Sequence, residues 1–585
     1  MDGTPTDLTQ ETVATTWLGD FRAALESGDA ARVAALFAED CHWRDLLAFG
    51  WDLRTTSGAD AIAARIVPAS AEVAPVGLAL AEHRTPPRRV HRAGTSCTEA
   101  IFAFETNVGP CTGVVRLVSE GNATRAWTLM TGLDEIRGHE DPANGKRWQN
   151  VDWKRNFGGE NWLDRRNKAR AFADRDPAVL VVGAAQSGLT IAARLGLLGV
   201  DTLVVDRDER IGDSWRRRYH ALTLHNETRV NHLPYMPFPP SWPVFIPKDM
   251  LANWFEIYAE AMELNVWTGT ELVSGSWDEA AGCWEAVLKR ADGSERRMRP
   301  RHIVFANGVS TTPIMPDLPG LKDFRGTVRH SGRYGSGLDW QGKRALVIGT
   351  GTSGHDVAQD LAVSGAASVT LVQRSPTLVV SLKEAQAPYA LYDEEIPFED
   401  KDLLAVSSPF PVYRRAHQMI TEKNRIADKA MLDGLERHGF RLTSGEDGSG
   451  WQIMYQSRGG GYYFDAGCSE MIVDGRIGLV QYDDIERFGP DGAVMKDGST
   501  LPADLIVLAT GYEGQAASAR RILGDAVGDR IGKVWGFDEE GELHGMWRPT
   551  GQKGVWFHAG GLAQCRIFSK VLALQIKARE LGMVS

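Results

Sequence analysis

Two stretches of the chain have spacings suited to holding a phosphate-bearing ligand. The first, "AVLVVGAAQSGLTIAARLGLLGVDTLVVDRDERIG", reads as a buried strand, a turn through Gly183, Ala185, Gln186, Ser187 and Gly188, a helix, and a second strand ending at Asp206 and Arg207. Small residues let the backbone approach a pyrophosphate at the positive end of the helix, while the acid bonds a ribose hydroxyl. Alanine holds the middle position, where glycine is usual, so one methyl is expected at the point of closest approach. The second, "RALVIGTGTSGHDVAQDLAVSGAASVTLVQRSP", carries Gly349, Gly351 and Gly354, with Thr352 and Ser353 opening its helix. In place of the acid stands Gln373, followed by Arg374 and Ser375. Without a carboxylate nothing repels a 2'-phosphate, and a guanidinium binds that phosphate through paired charge-assisted hydrogen bonds. NADPH is therefore expected there in preference to NADH.

Two sites of different ribose chemistry predict one tightly held dinucleotide and one that exchanges, and FAD with NADPH is the pair that fits. Three further segments suit that reading. In "RIGDSWRRRYHALTLH", Gly212, Ser214 and Trp215 form a loop expected to run along the flavin. "LIVLATGY" is a buried strand ending in a small-residue turn at Thr510 and Gly511, as where a strand passes close to a cofactor. "HAGGLAQC" places a Gly560–Gly561 turn and Gln564 at the start of a helix, whose first amides suit the negative edge of a reduced flavin.

Elements that alternate strand and helix must position these loops. From Ala178 onward they do, which is the signature of parallel, doubly wound sheets. Ahead of them, "ETVATTWLGDFRAAL" and "DAARVAALF" have helical spacing, and "CTEAIFAFET", "CTGVVRLVS" and "ATRAWTLMTGLDEI" alternate like a curved antiparallel sheet. "GHEDPANGKRWQNVDWKRNFGGENW" reads as a linker, and "WLDRRNKARAFADRD" as an amphipathic helix entering the main body. The predicted fold class is α/β, with two dinucleotide-binding Rossmann-like domains for FAD and NADP preceded by an α+β cone-like domain. Expected boundaries are 1–145 for the N-terminal domain, 146–176 for linker and helix, 177–317 and 471–585 for the two parts of the FAD domain, and 318–470 for the NADP domain with an inserted lid.

Bulk properties narrow the function classes. A chain of 585 residues exceeds one ordinary core, and 43% apolar with 24% charged residues is ordinary for a globular protein. A net charge of −11 offers no basic field, so nucleic acid is not an expected partner. The six cysteines are far apart, which disfavours a disulfide framework, a zinc site and the Cys-x-x-Cys pair of a flavin disulfide reductase. No export signal is read in the acidic first residues, no span is expected in the interrupted apolar run 178–200, and a cytoplasmic location follows as the expectation. Neither a metal motif nor a hydrolytic triad is found.

Between the two loops lies "FRGTVRHSGRY", Phe324 to Tyr334, which matches Phe-x-Gly-x-x-x-His-x-x-x-Tyr or Phe, the recognition sequence of flavin-containing monooxygenases. The last position is Tyr334 followed by Gly335, unlike the Trp with Pro or Asp of Baeyer-Villiger enzymes. Together with both loops and "LATGY", this stretch makes residues 177–582 similar to that family. "YHALTLHNETRVNHLPYMPFP" and "FDAGCSEMIVDGRI" resemble segments of the plant indole-pyruvate monooxygenases within it. The resemblance implies that NADPH reduces FAD, that O2 adds to it as a C4a-hydroperoxide, and that one oxygen atom reaches a small soft nucleophile (N or S) or a carbonyl substrate. A catalytic Asn of the family aligns with His225 or with Asn226 beside it. His330 and Tyr334 are expected to bond across the domain boundary and control the nicotinamide, with packing at a domain junction as the equal alternative. Release of hydrogen peroxide by an NADPH oxidase, and Baeyer-Villiger oxygenation of ketones, stay open as alternatives.

The first 140 residues, helices then "LFAEDCHWRD" and a sheet, resemble the nuclear transport factor 2-like cone fold. Two readings apply to that domain. Trp43, Trp51 and Trp127 line a small-molecule site with His42 and Asp45 as an acid and base pair, or the aromatics are core and the domain serves assembly. The segment 378–464 is either a substrate lid with Tyr462 and Tyr463 at its entrance or a helical excursion supporting a homodimer contact.

Overall fold

The computed structural model describes residues 9–121, 123–143 and 157–584, so part of the linker, 144–156, lies outside the described residues. Helices form at Gln10–Ser27 and Ala30–Ala34, where apolar spacing places them. Asp29 opens the second by accepting from the Ala31 and Arg32 amides. A third helix, Ala59–Val73, joins them over a seven-stranded sheet in which Thr95–Glu105, Pro110–Glu120 and Ala123–Leu133 run antiparallel. Phe37–Leu46 lies parallel to the last of these. The helix at Trp162–Ala171 is also present, capped by Asn161, but it is not amphipathic: none of its residues is buried. It is held through polar tips instead, with the Trp162 indole donating to Glu263 and Arg166 to Asn265.

Beyond it stand two sheets of the same design. The first orders its five parallel strands Val266–Trp267, Thr202–Val205, Val179–Val182, His302–Phe305 and Val555–Phe557. The second orders Gly478–Gln481, Ser368–Gln373, Arg344–Ile348, Leu505–Leu508 and Thr327–His330. Strands covered on both faces need near-continuous apolar runs, and the sequences VLVV, HIVF and LIVL supply them. Each sheet inserts a three-stranded antiparallel crossover before its fourth strand, built from 270–298 in the first and 485–502 in the second.

This pairing corrects one expected boundary. Gly478–Gln481 and Leu505–Leu508 both belong to the second sheet, so the second unit runs on through Ala509 and the chain returns to the first only after it. The return is made by Tyr512–Glu513, which pairs with Thr312–Pro313, while Thr510 donates to the Ile314 carbonyl at 2.7 Å. The insertion 378–464 is built on the parallel pair Leu378–Ser381 and Tyr462–Asp465, with helices Phe398–Val406, Phe410–Ala427, Lys429–Arg437 and Gly450–Arg458 between them. Among the described residues no helix is long and apolar enough to cross a membrane.

Candidate active site

The two loops are superimposable in logic. In the first, the Gly183 amide donates to the Val205 carbonyl; in the second, the Gly349 amide donates to Val372. Val205 therefore corresponds to Val372, Asp206 to Gln373, and Arg207 to Arg374. Gly183 has φ +110° and a Cβ there would stand 2.7 Å from the Ala306 carbonyl oxygen; Gly349 has φ +114° and would meet that of Ala509 at 2.4 Å. Both positions require glycine on two counts. Gly188 and Gly354 are closed off by the loop itself, since a Cβ on either would lie 1.8 or 2.0 Å from the carbonyl oxygen of Gly183 or Gly349.

Only the middle position differs. A Cβ on Gly351 would meet nothing closer than the Tyr462 carbonyl oxygen at 3.7 Å. The protein does not need glycine there, so the space in front of the helix Thr352–Val363 is left for a ligand. Ala185, which caps the helix Gln186–Leu197 in extended geometry, puts a methyl in the corresponding space. These cradles fit the pyrophosphates of two dinucleotides.

Electrostatics separate the two. The Asp206 carboxylate accepts from the Ala184 amide at 2.6 Å and the Asp208 amide at 2.9 Å, which fixes it at the cavity edge although burial pushes its pKa up. Gln373 is fully buried and its amide is committed to the backbone of Arg441. Arg374 and Ser375 beside it are exposed and line the cavity, and among the described residues no ion pair draws the guanidinium away. Trp215 donates to Gln186 at 3.0 Å, and the Ser187 hydroxyl meets the Cys565 thiol at 3.3 Å, joining the first loop to the C-terminal helix. Gln564 closes that helix start by accepting from the Gly561 amide at 3.0 Å.

Both cradles open on one cavity of about 2530 Å³, whose lining includes Gln186, Ser187, Arg207, Ser214, Trp215, Thr352, Ser353, Arg374, Ser375, Thr510, Gly511 and Gln564. An ordinary ligand pocket holds roughly 300–1,000 Å³, so this one has room for more than one large ligand. His225 and Asn226 lie on its wall. Burial lowers the His225 pKa to about 4, so its ring is neutral, set edge-on to Phe464 at 4.6 Å. Asn226 shares this wall with Tyr389 and Gln452. Tyr389, Tyr413, Trp451, Tyr455, Tyr462 and Phe464 make this part of the wall aromatic. Density of aromatics in 389–464 was the available sequence signal for them, but no spacing showed which ones face inward.

Several expected site residues are placed elsewhere. Gly212 is absent from the cavity wall; with φ +84°, it turns the chain against Ala252, whose carbonyl oxygen a Cβ would meet at 2.8 Å. His330 and Tyr334 do not reach the cavity either. The His330 ring bonds the Gly511 carbonyl at 3.0 Å through Nε2 and accepts from the Gly332 amide at 3.1 Å through Nδ1. Tyr334 is fully buried and donates to Asp360 at 3.0 Å. Phe324 folds its ring over Gly326, where a Cβ would lie 2.4 Å from it. The Tyr334 bond stays within the second unit, whereas His330 reaches Gly511, past the end of that unit at Ala509, and meets the Tyr512 ring at 4.9 Å in the segment that returns to the first unit.

Tyr463 is also core, stacked on His355 at 3.9 Å, and only Tyr462 borders the cavity. In the N-terminal domain, His42 bonds Ser57 and Asp40, whereas Asp45 accepts from Thr131 and the Phe49 amide, so they are not a pair. Trp43 is core, donating to Thr131, Trp51 packs partly buried against that core, and Trp127 packs on Val412 of the catalytic body.

Two dinucleotide cradles facing one aromatic chamber define a flavin-dependent oxidoreductase. Comparison with known proteins specifies it further. The flavin-binding monooxygenase-like family matches residues 176–393. Indole-3-pyruvate monooxygenase YUCCA1 of Oryza sativa subsp. japonica is 29% identical over 350 residues, covering 60% of this chain and 80% of the relative. YUCCA4 of the same organism is 32% identical over 353 residues, covering 58% and 74%. Among solved structures, an ε-caprolactone-bound cyclohexanone monooxygenase shares the fold at TM-score 0.51 and 18% identity, over 69% of this chain and 88% of that one. The chain belongs to the flavin-binding monooxygenase-like family.

Proposed function

We propose that the chain is an NADPH-dependent monooxygenase with FAD in the Asp206 cradle and NADPH in the Arg374 cradle. The observation that carries this reading is the register of the two loops, which puts a carboxylate at the end of one strand and, at the equivalent end of the other, an exposed guanidinium without an ion pair among the described residues; this difference supports a free ribose in one cradle and a 2'-phosphate in the other. When bound, the flavin supplies hydride acceptance and activation of O2; one oxygen atom goes to a soft-nucleophile (N or S) or carbonyl substrate and the other leaves as water. The residues of this chain hold and dry the site. Asp206 fixes a ribose, the Gln186 and Thr352 helix starts face the pyrophosphates, and the aromatic wall keeps water from the chamber. Asn226, on the cavity wall, is the side chain we assign the family Asn role, while the neutral His225 packs on Phe464.

The N-terminal domain has the order of elements expected of a nuclear transport factor 2-like cone, and its packing against the catalytic body supports an assembly role. Indole-3-pyruvate, on which the relatives act by name, heads the panel of substrates. The test is oxidation of NADPH and NADH in air with product analysis. Product formed in step with NADPH, and a preference over NADH that falls at least tenfold in Arg374→Ala, are expected. Hydrogen peroxide as the sole product would make the chain an oxidase instead, and indifference to the 2'-phosphate would remove Arg374 from the site.

A further inference from the structure

The helix Phe410–Ala427 is a partition with two working faces. Phe410, Tyr413, Ala416, His417 and Ile420 lie along the chamber. Val412, at the cavity's edge, packs with Cys97 and Trp127, and on the other side Arg415 donates to Thr95 at 3.0 Å and lies over the Trp127 ring at 5.1 Å while Met419 abuts Gly94. Spacings of three and four residues put Phe410, Tyr413, His417 and Ile420 on one stripe of the helix and Arg415 and Met419 on another. The N-terminal sheet is thus the back plate of a chamber wall, although it lies outside the family match at 176–393.

On that wall His417 stands out. It is 5% exposed, its ring lies 4.2 Å from that of Tyr413, and neither ring nitrogen has a hydrogen-bond partner among the described residues. Its nitrogens border the cavity, and a polar group on a cavity wall without a protein partner is free to bond a ligand there. Burial keeps the imidazole neutral, with one N–H to give. The hydroxyls of Tyr455 and Tyr462 on the same cavity also lack partners among the described residues. Three donors on an otherwise aromatic wall call for an acceptor. The compartment is continuous with the two cradles: Tyr413 donates to Gln452 at 2.9 Å, and Tyr389 and Asn226 line the same cavity.

We infer that His417 is a substrate-contacting specificity residue, donating a hydrogen bond to an uncharged oxygen acceptor on an otherwise apolar or aromatic substrate, and that Arg415, two residues away on the same helix, is a positioning residue that anchors this helix to Thr95 of the N-terminal domain. This rests on the monooxygenase reading for the word substrate, but its test does not. The flavin-loaded enzyme is titrated with 4-phenylbutan-2-one and with n-butylbenzene, which lacks the oxygen, following tryptophan fluorescence. One hydrogen bond in a dry site predicts about tenfold tighter binding of the ketone. His417→Phe should abolish that ratio, His417→Gln should keep most of it, and Arg415→Ala, which lines no part of the cavity, should lower it by about threefold. Equal binding of the two probes by the wild type, or an unchanged ratio in His417→Phe, overturns the assignment of His417. An unchanged ratio in Arg415→Ala overturns that of Arg415. NADPH oxidation by the wild type, measured alongside, fails separately if the enzymatic reading is wrong.

Discussion

Arg44 on the N-terminal sheet grips Glu542 of the catalytic body with two guanidinium bonds of 2.7 and 2.6 Å and gives a third, of 2.6 Å, to the Val406 carbonyl. The side chains are 13% and 4% exposed, and Thr55 also donates to Glu542 at 2.9 Å. Around this pair stand Arg548 with Asp52, Lys570 with Asp134, and Thr85 with Asp400. The N-terminal domain is bolted in place.

Breaking that bolt on one side should be far worse than removing it. Arg44→Ala leaves Glu542 charged and buried, which is expected to destabilise by about 3–5 kcal/mol, whereas Arg44→Met with Glu542→Met should lose much less. Urea denaturation gives the stabilities, and limited proteolysis shows whether the N-terminal domain is released first. Equal losses for the single and double variants would mean the pair acts only as an ordinary surface contact.

The glycine loops predict a separation of stability from binding. Gly349→Ala must drive a methyl to 2.4 Å from the Ala509 carbonyl oxygen and adopt φ +114°, so it is expected to misfold the second unit. Gly351→Ala meets only an ordinary contact with the Tyr462 carbonyl oxygen at 3.7 Å and should fold with wild-type thermal stability, yet weaken NADP+ about tenfold by calorimetry. Wild-type NADP+ affinity in Gly351→Ala would place the pyrophosphate elsewhere.

The loops were legible in the sequence because their chemistry is local: a strand, a turn without side chains and a helix start are contiguous. So were the strands of both sheets, whose apolar runs leave few alternatives. Assignment of "LIVLATGY" to a sheet was not local, since a buried strand of four residues suits either one, and only pairing with Arg344–Ile348 decides it. The same holds for Tyr462 and Tyr463, adjacent on one strand and hence pointing to opposite sides, one to the cavity and one into the core. The docking of the N-terminal domain depends on charged pairs hundreds of residues apart, for which a single sequence holds no signal.

His330 tests what the linking stretch does. Its ring is satisfied at both nitrogens and never meets the cavity, so His330→Ala should lower stability by about 1–3 kcal/mol, the range for stranding buried hydrogen-bonding groups. Its effect on flavin reduction by NADPH should come through the Gly511 turn, and Gly511→Pro should reproduce it in stopped-flow absorbance. If His330→Ala slows reduction with no loss of stability, the residue acts at the nicotinamide after all.

Acid should unlock the N-terminal domain at a definable point. Glu99 is 2% exposed; burial alone would raise its pKa, but Arg116, Arg92 and Arg88 outweigh it and pull it from 4.5 down to about 2. Arg88 and Arg92 also hold Glu394 of the inserted segment, so this carboxylate sits at the centre of a cluster spanning the interface. A group whose folded pKa is depressed stabilises the fold above its unfolded pKa, and that contribution is lost as pH falls through the folded value. Wild-type stability should therefore decline as pH is lowered from 4.5 towards 2, with the N-terminal domain exposed to protease first. Glu99→Gln should be less stable than wild type near neutrality, and the difference should shrink across that same interval. A difference that stays constant with pH would show that Glu99 contributes through shape and hydrogen bonding alone, not through its charge.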